Sequence, residues 1–259
     1  LEGLGGNDSL DGGAGTDSAD YSASTAAVTV DLAAGTATGT AIGTDTLTAI
    51  EDVTGGSGAD RLTGDSVANS LVGNGGNDSL FGGAGSDNLS GGANNDELTG
   101  GTDADVLDGG DGIDTALYQL SLQAVTVDLA AGTGTGGDAQ GDTLTDIENL
   151  TGSSENDSLA GDGGTNILSG GAGNDTLEGR GGADTLLGGG GDDTLIGGEG
   201  ADSLDGGGGV NQVDYSGAGG AVTVDLAAGS GAGSDAAGDV YTNIQNILGS
   251  AQNDSLVGN

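Results

Sequence analysis

Histidine, lysine, cysteine, methionine, proline and tryptophan are all missing from this chain of 259 residues. Each absence closes a route. With neither His nor Lys, no serine has a base to activate it, so triad-type nucleophilic catalysis is excluded. With neither His nor Cys, soft and borderline metals lack the ligands they select. The missing cysteine says little about compartment, since reducing and oxidising environments both tolerate it. Aromatics stop at four Tyr and Phe81, and the only bases are Arg61 and Arg180. Against them stand 41 acids, for a formal charge of −39. Such a surplus repels nucleic acid and anionic lipid and attracts cations. No apolar run approaches a membrane helix, and no basic-then-apolar leader opens the chain. An export address would lie elsewhere in a longer chain or be of another type.

What is abundant is glycine, 61 residues of it. Few large apolar groups and strong self-repulsion suit a disordered chain, but the sequence repeats, and repetition argues for a solenoid. The short period is nine. Residues 56–118 divide without gaps into nonapeptides from GSGADRLTG to GDGIDTALY, and residues 153–215 do the same from SSENDSLAG to GGGVNQVDY. Partial arrays lie at 4–21 and 250–258. A long period overlies the short one. AVTVDLAAG begins at Ala27, Ala124 and Ala221, 97 residues apart, and Tyr21, Tyr118 and Tyr215 keep the same spacing, as do Ile50, Ile147 and Ile244. The chain reads as module 1 (1–97), module 2 (98–194) and a partial module 3 (195–259), with connectors at 22–55, 119–152 and 216–249. Open module ends at both termini suggest a slice of something longer.

Leucine every ninth residue fits neither a helical stripe nor a long alternating strand. It fits a coil that turns a corner after each very short strand. In GGAGNDTLE (170–178), Thr176-Leu177-Glu178 is expected to be a three-residue strand with Leu177 inward. Gly170, Gly171 and Gly173 permit the positive-φ turn before it. Two nonapeptides complete one turn of eighteen residues, and successive turns stack at strand spacing, about 4.8 Å. Stacking sets Asp175 over Asp193 and Asp184 over Asp202. At about 5 Å and an effective dielectric near 20, each such pair repels by about 3 kcal/mol. A handful of pairs exceeds the roughly 5–15 kcal/mol that holds a whole domain together. A counterion is therefore required. The loops offer only oxygens, carboxylates and glycine carbonyls, which suit a hard divalent cation, and a flexible carbonyl-rich cage suits calcium better than magnesium.

GGAGNDTLE, GGAGSDNLS and GGEGADSLD resemble the GGxGxDxUx repeat of the repeats-in-toxin (RTX) family, a motif associated with calcium. The likeness covers about 150 residues in arrays and partial arrays. It implies an all-β fold, a calcium-bound parallel β-roll that is disordered without calcium and folds once secreted. It also implies export by a type I system read from the far C-terminus. Carrying the motif's acid across implies metal ligands at Asp8, Asp17, Asp60, Asp78, Asp87, Asp96, Asp105, Asp114, Asp157, Asp175, Asp184, Asp193, Asp202 and Asp254, helped by turn glycines such as Gly171, Gly173, Gly182, Gly191 and Gly200. Asn69, Asn166 and Asn211 depart from the acid, and Val67, Asn94 and Asp103 stand where a turning glycine belongs. Those departures weaken the sites at 65–73 and beside Asn211. The best sites are expected within 170–206.

The connectors should continue the coil as wider, irregular turns. Val28, Val30 and Leu32 alternate as one strand, and residues 45–50 read as another. Tyr21, Tyr118 and Tyr215 are expected to plug the core where an array ends. Asp31, Asp128 and Asp225, or Asp45, Asp142 and Asp239, are candidate further ligands, with solvated strand-face acids as the favoured alternative.

Other motifs dissolve on inspection. G-x-G-x-x-G strings open no amphipathic helix, and residues 103–109 lack the Glu that closes an EF-hand loop. Paired carboxylates could in principle cleave glycosides, yet acids recur everywhere to hold metal. No enzyme is expected. The leading expectation is a calcium-binding stalk, spacer or filament body of a large secreted bacterial protein such as an adhesin, located outside the cell or on its surface. The alternatives are a folding and secretion domain attached to an enzyme or toxin, and a self-assembling surface-layer or matrix protein. Calcium is the expected partner, with self-association or neighbouring repeats beside it; neither nucleic acid nor membrane insertion is.

Overall fold

The computed structural model describes residues 1–259, and apart from two 3-10 turns, Gly137–Ala139 and Ser234–Ala236, every regular element is a β-strand. The fold is the mostly parallel two-sheet coil that the repeat predicts. Register gives its pitch: Leu177 pairs with Leu195 and Leu186 with Leu204, each eighteen residues on.

The strands are longer than the expected triplet. Thr176–Gly181 and its equivalents, such as Ser79–Ala84 and Thr194–Glu199, run six residues. Pairing continues past the leucine into the next loop, where Arg180 meets Gly198 and Gly181 meets Glu199. The two-residue alternation of a strand then sets what faces in. Leu177 is buried, Glu178 is half-buried and Gly179 is buried again. An inward glycine two residues after the leucine leaves the space of a side chain empty, and the acid of the same loop fills it.

The chain forms two compact units, Leu1–Leu117 with Asp138–Ile147, and Tyr118–Gly137 with Glu148–Asn259. In the first, one sheet orders Ser9–Asp11, Gly43–Thr48, Thr36–Gly39, Val28–Asp31, Arg61–Thr63, Ser79–Ala84, Glu97–Thr102 and Thr115–Leu117. The other takes Ser18–Asp20, Asp52–Thr54, Ser70–Gly75, Asn88–Ala93, Val106–Asp111 and Thr143–Thr145. In the second unit, one sheet orders Asn149–Thr151, Ile167–Ala172, Thr185–Gly190, Ser203–Asp205, Val240–Thr242, Ser230–Ala232, Thr223–Asp225 and Ser255–Val257. Its counterpart orders Thr133–Thr135, Thr126–Asp128, Ser158–Ala160, Thr176–Gly181, Thr194–Glu199, Gln212–Asp214 and Asn246–Leu248. Successive nonapeptides thus alternate between sheets, and each sheet contributes a file of buried leucines, Leu177 and Leu195 on one and Leu186 and Leu204 on the other.

The connectors are more regular than irregular turns. Val28–Asp31 pairs antiparallel with Thr36–Gly39, which pairs antiparallel with Gly43–Thr48. Thr126–Asp128 with Thr133–Thr135, and Thr223–Asp225 with Ser230–Ala232, form the same hairpin. The chain runs out and back within the sheet before resuming its coil. Asp31, Asp128 and Asp225 serve the hairpin turn: each accepts the backbone N–H three residues on, at Ala34, Ala131 and Ala228, a local bond of the kind short acids favour in turns. Tyr21, Tyr118 and Tyr215 are buried at the ends of their arrays, and Ile50, Ile147 and Ile244 are buried with them.

Candidate metal centre

Each array loop runs from the inward glycine (residue one) to the acid (residue six), as in Gly170–Asp175. The acids form ladders along the two edges of the coil. In the second unit, Asp157 N–H donates to Asp175 Oδ1 (2.8 Å), Asp175 N–H to Asp193 Oδ1 (2.9 Å), and Asp193 N–H to Asn211 Oδ1 (2.9 Å). On the opposite edge the order is Asn166, Asp184, Asp202 and Asp239, at 2.8, 2.9 and 3.0 Å. The first unit repeats this with Asp60, Asp78, Asp96 and Asp114 on one edge and Asn69, Asp87, Asp105 and Asp142 on the other.

The backbone therefore satisfies one carboxylate oxygen per acid and leaves the second bare. Oδ2 of Asp78, Asp87, Asp96, Asp105, Asp175, Asp184, Asp193 and Asp202 is buried without any hydrogen-bond partner, and these residues are at most 2% exposed. Asp8 Oδ2 is bare as well. A buried charged oxygen without a partner is among the costliest features a fold can carry. Desolvation accordingly pushes the carboxyls up, to about 6 for Asp78, Asp87 and Asp202 and to about 7 for Asp96, Asp105 and Asp175, with neighbouring acids adding to each. Asp184 and Asp193 are raised by the same burial.

What surrounds the bare oxygen is more oxygen. A Cβ placed on Gly170 would stand 2.2 Å from Asp175 Oδ2 and 2.7 Å from the carbonyl oxygen of Gly188, the first residue of the next loop on that edge. Gly73, Gly82, Gly179 and Gly188 stand in the same relation to Asp78, Asp87, Asp184 and Asp193. Gly173, Gly182, Gly191 and Gly200, at residue four, have φ of +109, +119, +134 and +153°, and Gly171 at residue two has +104°. Turned this way, loop carbonyls come close to the neighbouring coil: Gly173 O lies 1.8 Å from where a Cβ on Gly191 would be. Nowhere do three His, Cys, Asp or Glu side chains converge, so a cation here would be held by one carboxylate per loop together with backbone carbonyls. That donor set fits a hard, flexible-geometry divalent ion.

Some loops are built differently. Asp60 Oδ2 accepts the N–H of Gly56 in its own loop (2.7 Å), and Asp60 Oδ1 that of Val28 (2.8 Å). Asp157 does likewise with Ser153 N–H (2.5 Å) and Val125 N–H (2.8 Å). Asp254, half-exposed, accepts Val222 N–H and the Ser250 hydroxyl on Oδ1. Asp17, also half-exposed, sends its N–H to Glu51 Oε2.

Of the connector acids, Asp45, Asp142 and Asp239 are not solvated strand-face groups. Asp45, Asp142 and Asp239 are at most 1% exposed and occupy the rung after Asp8, Asp105 and Asp202, whose N–H groups they accept. The second oxygen of Asp45 takes the Tyr21 hydroxyl (3.3 Å) and that of Asp239 the Tyr215 hydroxyl (2.5 Å), with Tyr241 OH 2.5 Å from Tyr215 OH. Those tyrosines plug the core, as their spacing suggests, and also end an acid ladder with a hydroxyl donor. Among the asparagine departures, Asn69 and Asn166 start their ladders, whereas Asn211 follows Asp193 and passes its own N–H to Gln245 Oε1 (2.7 Å); all three donate Nδ2 to a carbonyl, of Glu51, Glu148 and Asn243.

Two further features escape the sequence pattern. At residue five an outer ladder runs with opposite polarity: Asn174 N–H donates to Asn156 Oδ1, Asp192 N–H to Asn174 Oδ1, and Val210 N–H to Asp192 Oδ1. Only the recurrence of Asn-Asp before the strand signalled it. The other feature is Arg180, which forks onto Asp128 (2.7 and 2.6 Å) and donates to Gly161 O (2.8 Å), pinning a connector hairpin to the array. Asp128 is held below the usual carboxylate range, first by this bond.

A family model described as the RTX calcium-binding nonapeptide repeat matches residues 1–22, 54–89, 81–116, 142–177 and 178–213, more than half of the chain. No curated protein matches it.

Proposed function

Since this chain belongs to the RTX calcium-binding nonapeptide-repeat family, we propose that it is a load-bearing segment, a stalk or spacer, of a larger secreted protein, and that calcium outside the cell drives its folding. The chain's partner is calcium. What carries the reading is the file of buried Asp Oδ2 atoms with no partner, repeated at eighteen-residue intervals. Asp78, Asp87, Asp96, Asp105, Asp175, Asp184, Asp193 and Asp202 would hold the ions together with loop carbonyls. Bound calcium supplies the positive charge that lets stacked carboxylates share an edge. The chain's own residues do the rest. Each aspartate N–H fixes the carboxylate of the next coil, and inward glycine makes room for it. The leucines give the coil a thin core that the charge would otherwise pull apart.

Repetition without a catalytic group favours a mechanical role over an enzymatic one. Export by a type I route, suggested by the family, is compatible with a chain that stays unfolded where calcium is scarce. Circular dichroism tests the central step: little regular structure in chelator, β-structure after calcium is added. β-Structure that persists in chelator rejects calcium-driven folding. Many more 97-residue modules in the full-length sequence would support the stalk, and a flanking catalytic domain would replace it with a secretion-domain role.

A further inference from the structure

Most loops that share the sequence pattern adopt one of two backbone forms; loop 109–114, with Gly110 at +96° and Gly112 not left-handed, mixes them. In loops 73–78, 82–87, 91–96, 100–105, 170–175, 179–184, 188–193 and 197–202, residues two and four both have positive φ. In each of these eight loops the acid keeps a bare Oδ2, as Asp8 does in loop 3–8, where Leu4 and Gly6 also have positive φ. In loops 55–60, 64–69, 152–157 and 161–166, neither residue has positive φ. There the N–H of residue two turns inward and donates to the sixth side chain: Gly56 to Asp60 (2.7 Å), Asp65 to Asn69 (2.8 Å), Ser153 to Asp157 (2.5 Å) and Asp162 to Asn166 (2.9 Å).

In this second form no side-chain oxygen of residue six is left without a donor. Asp60 and Asp157 have both oxygens bonded, the second to Val28 and Val125 N–H. Asn69 and Asn166 carry no charge. The four loops make the first full coil of each array, residues 55–72 and 152–169, next to the connectors. Sequence agrees with the geometry: Val67 and Glu155 occupy residue four in closed loops, whereas open loops place only Gly, Asn or Asp there, the residues that tolerate positive φ.

We propose that the first coil of each array binds no calcium, its residue-two N–H groups standing in for the ion, and that calcium is held only by the open loops that follow. The inference rests on the calcium-dependent folding proposed above. It makes the first coil a built-in template: it presents strands in eighteen-residue register, so the first calcium-binding loop closes against an edge that needs no metal.

Three variants of the full chain decide this, by bound calcium per chain in equilibrium dialysis and by the calcium midpoint of the circular-dichroism transition. Asp175→Asn should lose bound calcium and move the midpoint to higher concentration. Asp157→Asn can keep one acceptor for the Ser153 N–H, as Asn166 does for the Asp162 N–H, while giving up the one for Val125 N–H, and should leave bound calcium as in the parent chain. Asn166→Asp should gain none. A loss in Asp157→Asn equal to that in Asp175→Asn overturns the inference, as does an extra ion in Asn166→Asp. If Asp157→Asn does not fold, Asn166→Asp decides alone. If Asp175→Asn also loses no calcium, the assignment of ions to the open loops falls instead, and with it the inference.

Discussion

Asp157 and Asp175, eighteen residues apart, are joined by a 2.8 Å hydrogen bond from the backbone N–H of the first to Oδ1 of the second, while Asp175 Oδ2 is left bare. One carboxylate thus does two jobs: one oxygen sets the spacing of the coils and the other needs a cation.

Protons should partly replace calcium. The raised carboxyls, about 6 for Asp78 and Asp202 and about 7 for Asp96, Asp105 and Asp175, compare with roughly 3.9 in an unfolded chain. A folded-state value above the unfolded one means that the folded form takes up protons more readily, so its stability grows as pH falls from about 7 to about 4. In chelator, acidification across that window should increase β-structure by circular dichroism. With limiting calcium the same titration should release the ion, visible with a calcium electrode. Loss of structure on acidifying the metal-free chain would contradict the assignment.

Gly182 and Gly163, nineteen residues apart, should respond oppositely to alanine. A Cβ on Gly182, where φ is +119°, would meet Gly164 O at 2.0 Å, whereas one on Gly163 meets nothing within 4 Å. Gly182→Ala should cost several kcal/mol through backbone strain and displacement. Gly163→Ala should be neutral or slightly stabilising, by less than about 1 kcal/mol. Urea unfolding at saturating calcium compares them directly.

Tyr215→Phe removes the hydroxyl that Asp239 Oδ2 accepts. Loss of a buried hydrogen bond that leaves its partner charged and short of a donor should destabilise by about 1–3 kcal/mol. The loss should persist at saturating calcium, since Tyr241 and Tyr215 fill this space rather than an ion. Full recovery of stability on raising calcium would show that the metal can take the tyrosine's place.

Asp128→Asn should loosen the hairpin that Arg180 pins. The pair is only partly buried, 30% and 34% exposed, so the effect should stay within about 1 kcal/mol and shrink with added salt. Hydrogen exchange should rise at Leu129–Gly132 while the array leucines keep their protection.

Much of this arrangement is legible in residue types. The nine-residue beat gives the coil, the inward leucines and the acid edge, because each follows from period and chirality alone. Strand length was not legible: Gly179, Arg180 and Gly181 look like turn residues, yet ladder pairing extends through them because parallel neighbours hold them in place. The fate of Asp45 and Asp239 was hidden for a related reason. Their burial depends on a hairpin inserted between rungs that are thirty-seven residues apart in sequence, and no local pattern encodes that meeting. Asn69, Asn166 and Asn211 read as defects in the motif, yet each keeps an accepting Oδ1 in its rung and turns Nδ2 onto a backbone carbonyl. Val67 reads as a misplaced bulky residue and sits, half-exposed, in a loop that never turns left-handed.

The eighteen-residue register also constrains how such a protein can change its length. Removing nine residues from an array would move every later nonapeptide to the opposite sheet and pass each acid to the other edge, away from the rungs it continues. Removing eighteen would return every leucine and every aspartate to an equivalent place. An array of this kind should therefore lengthen and shorten by whole coils, as a screw gains or loses complete threads.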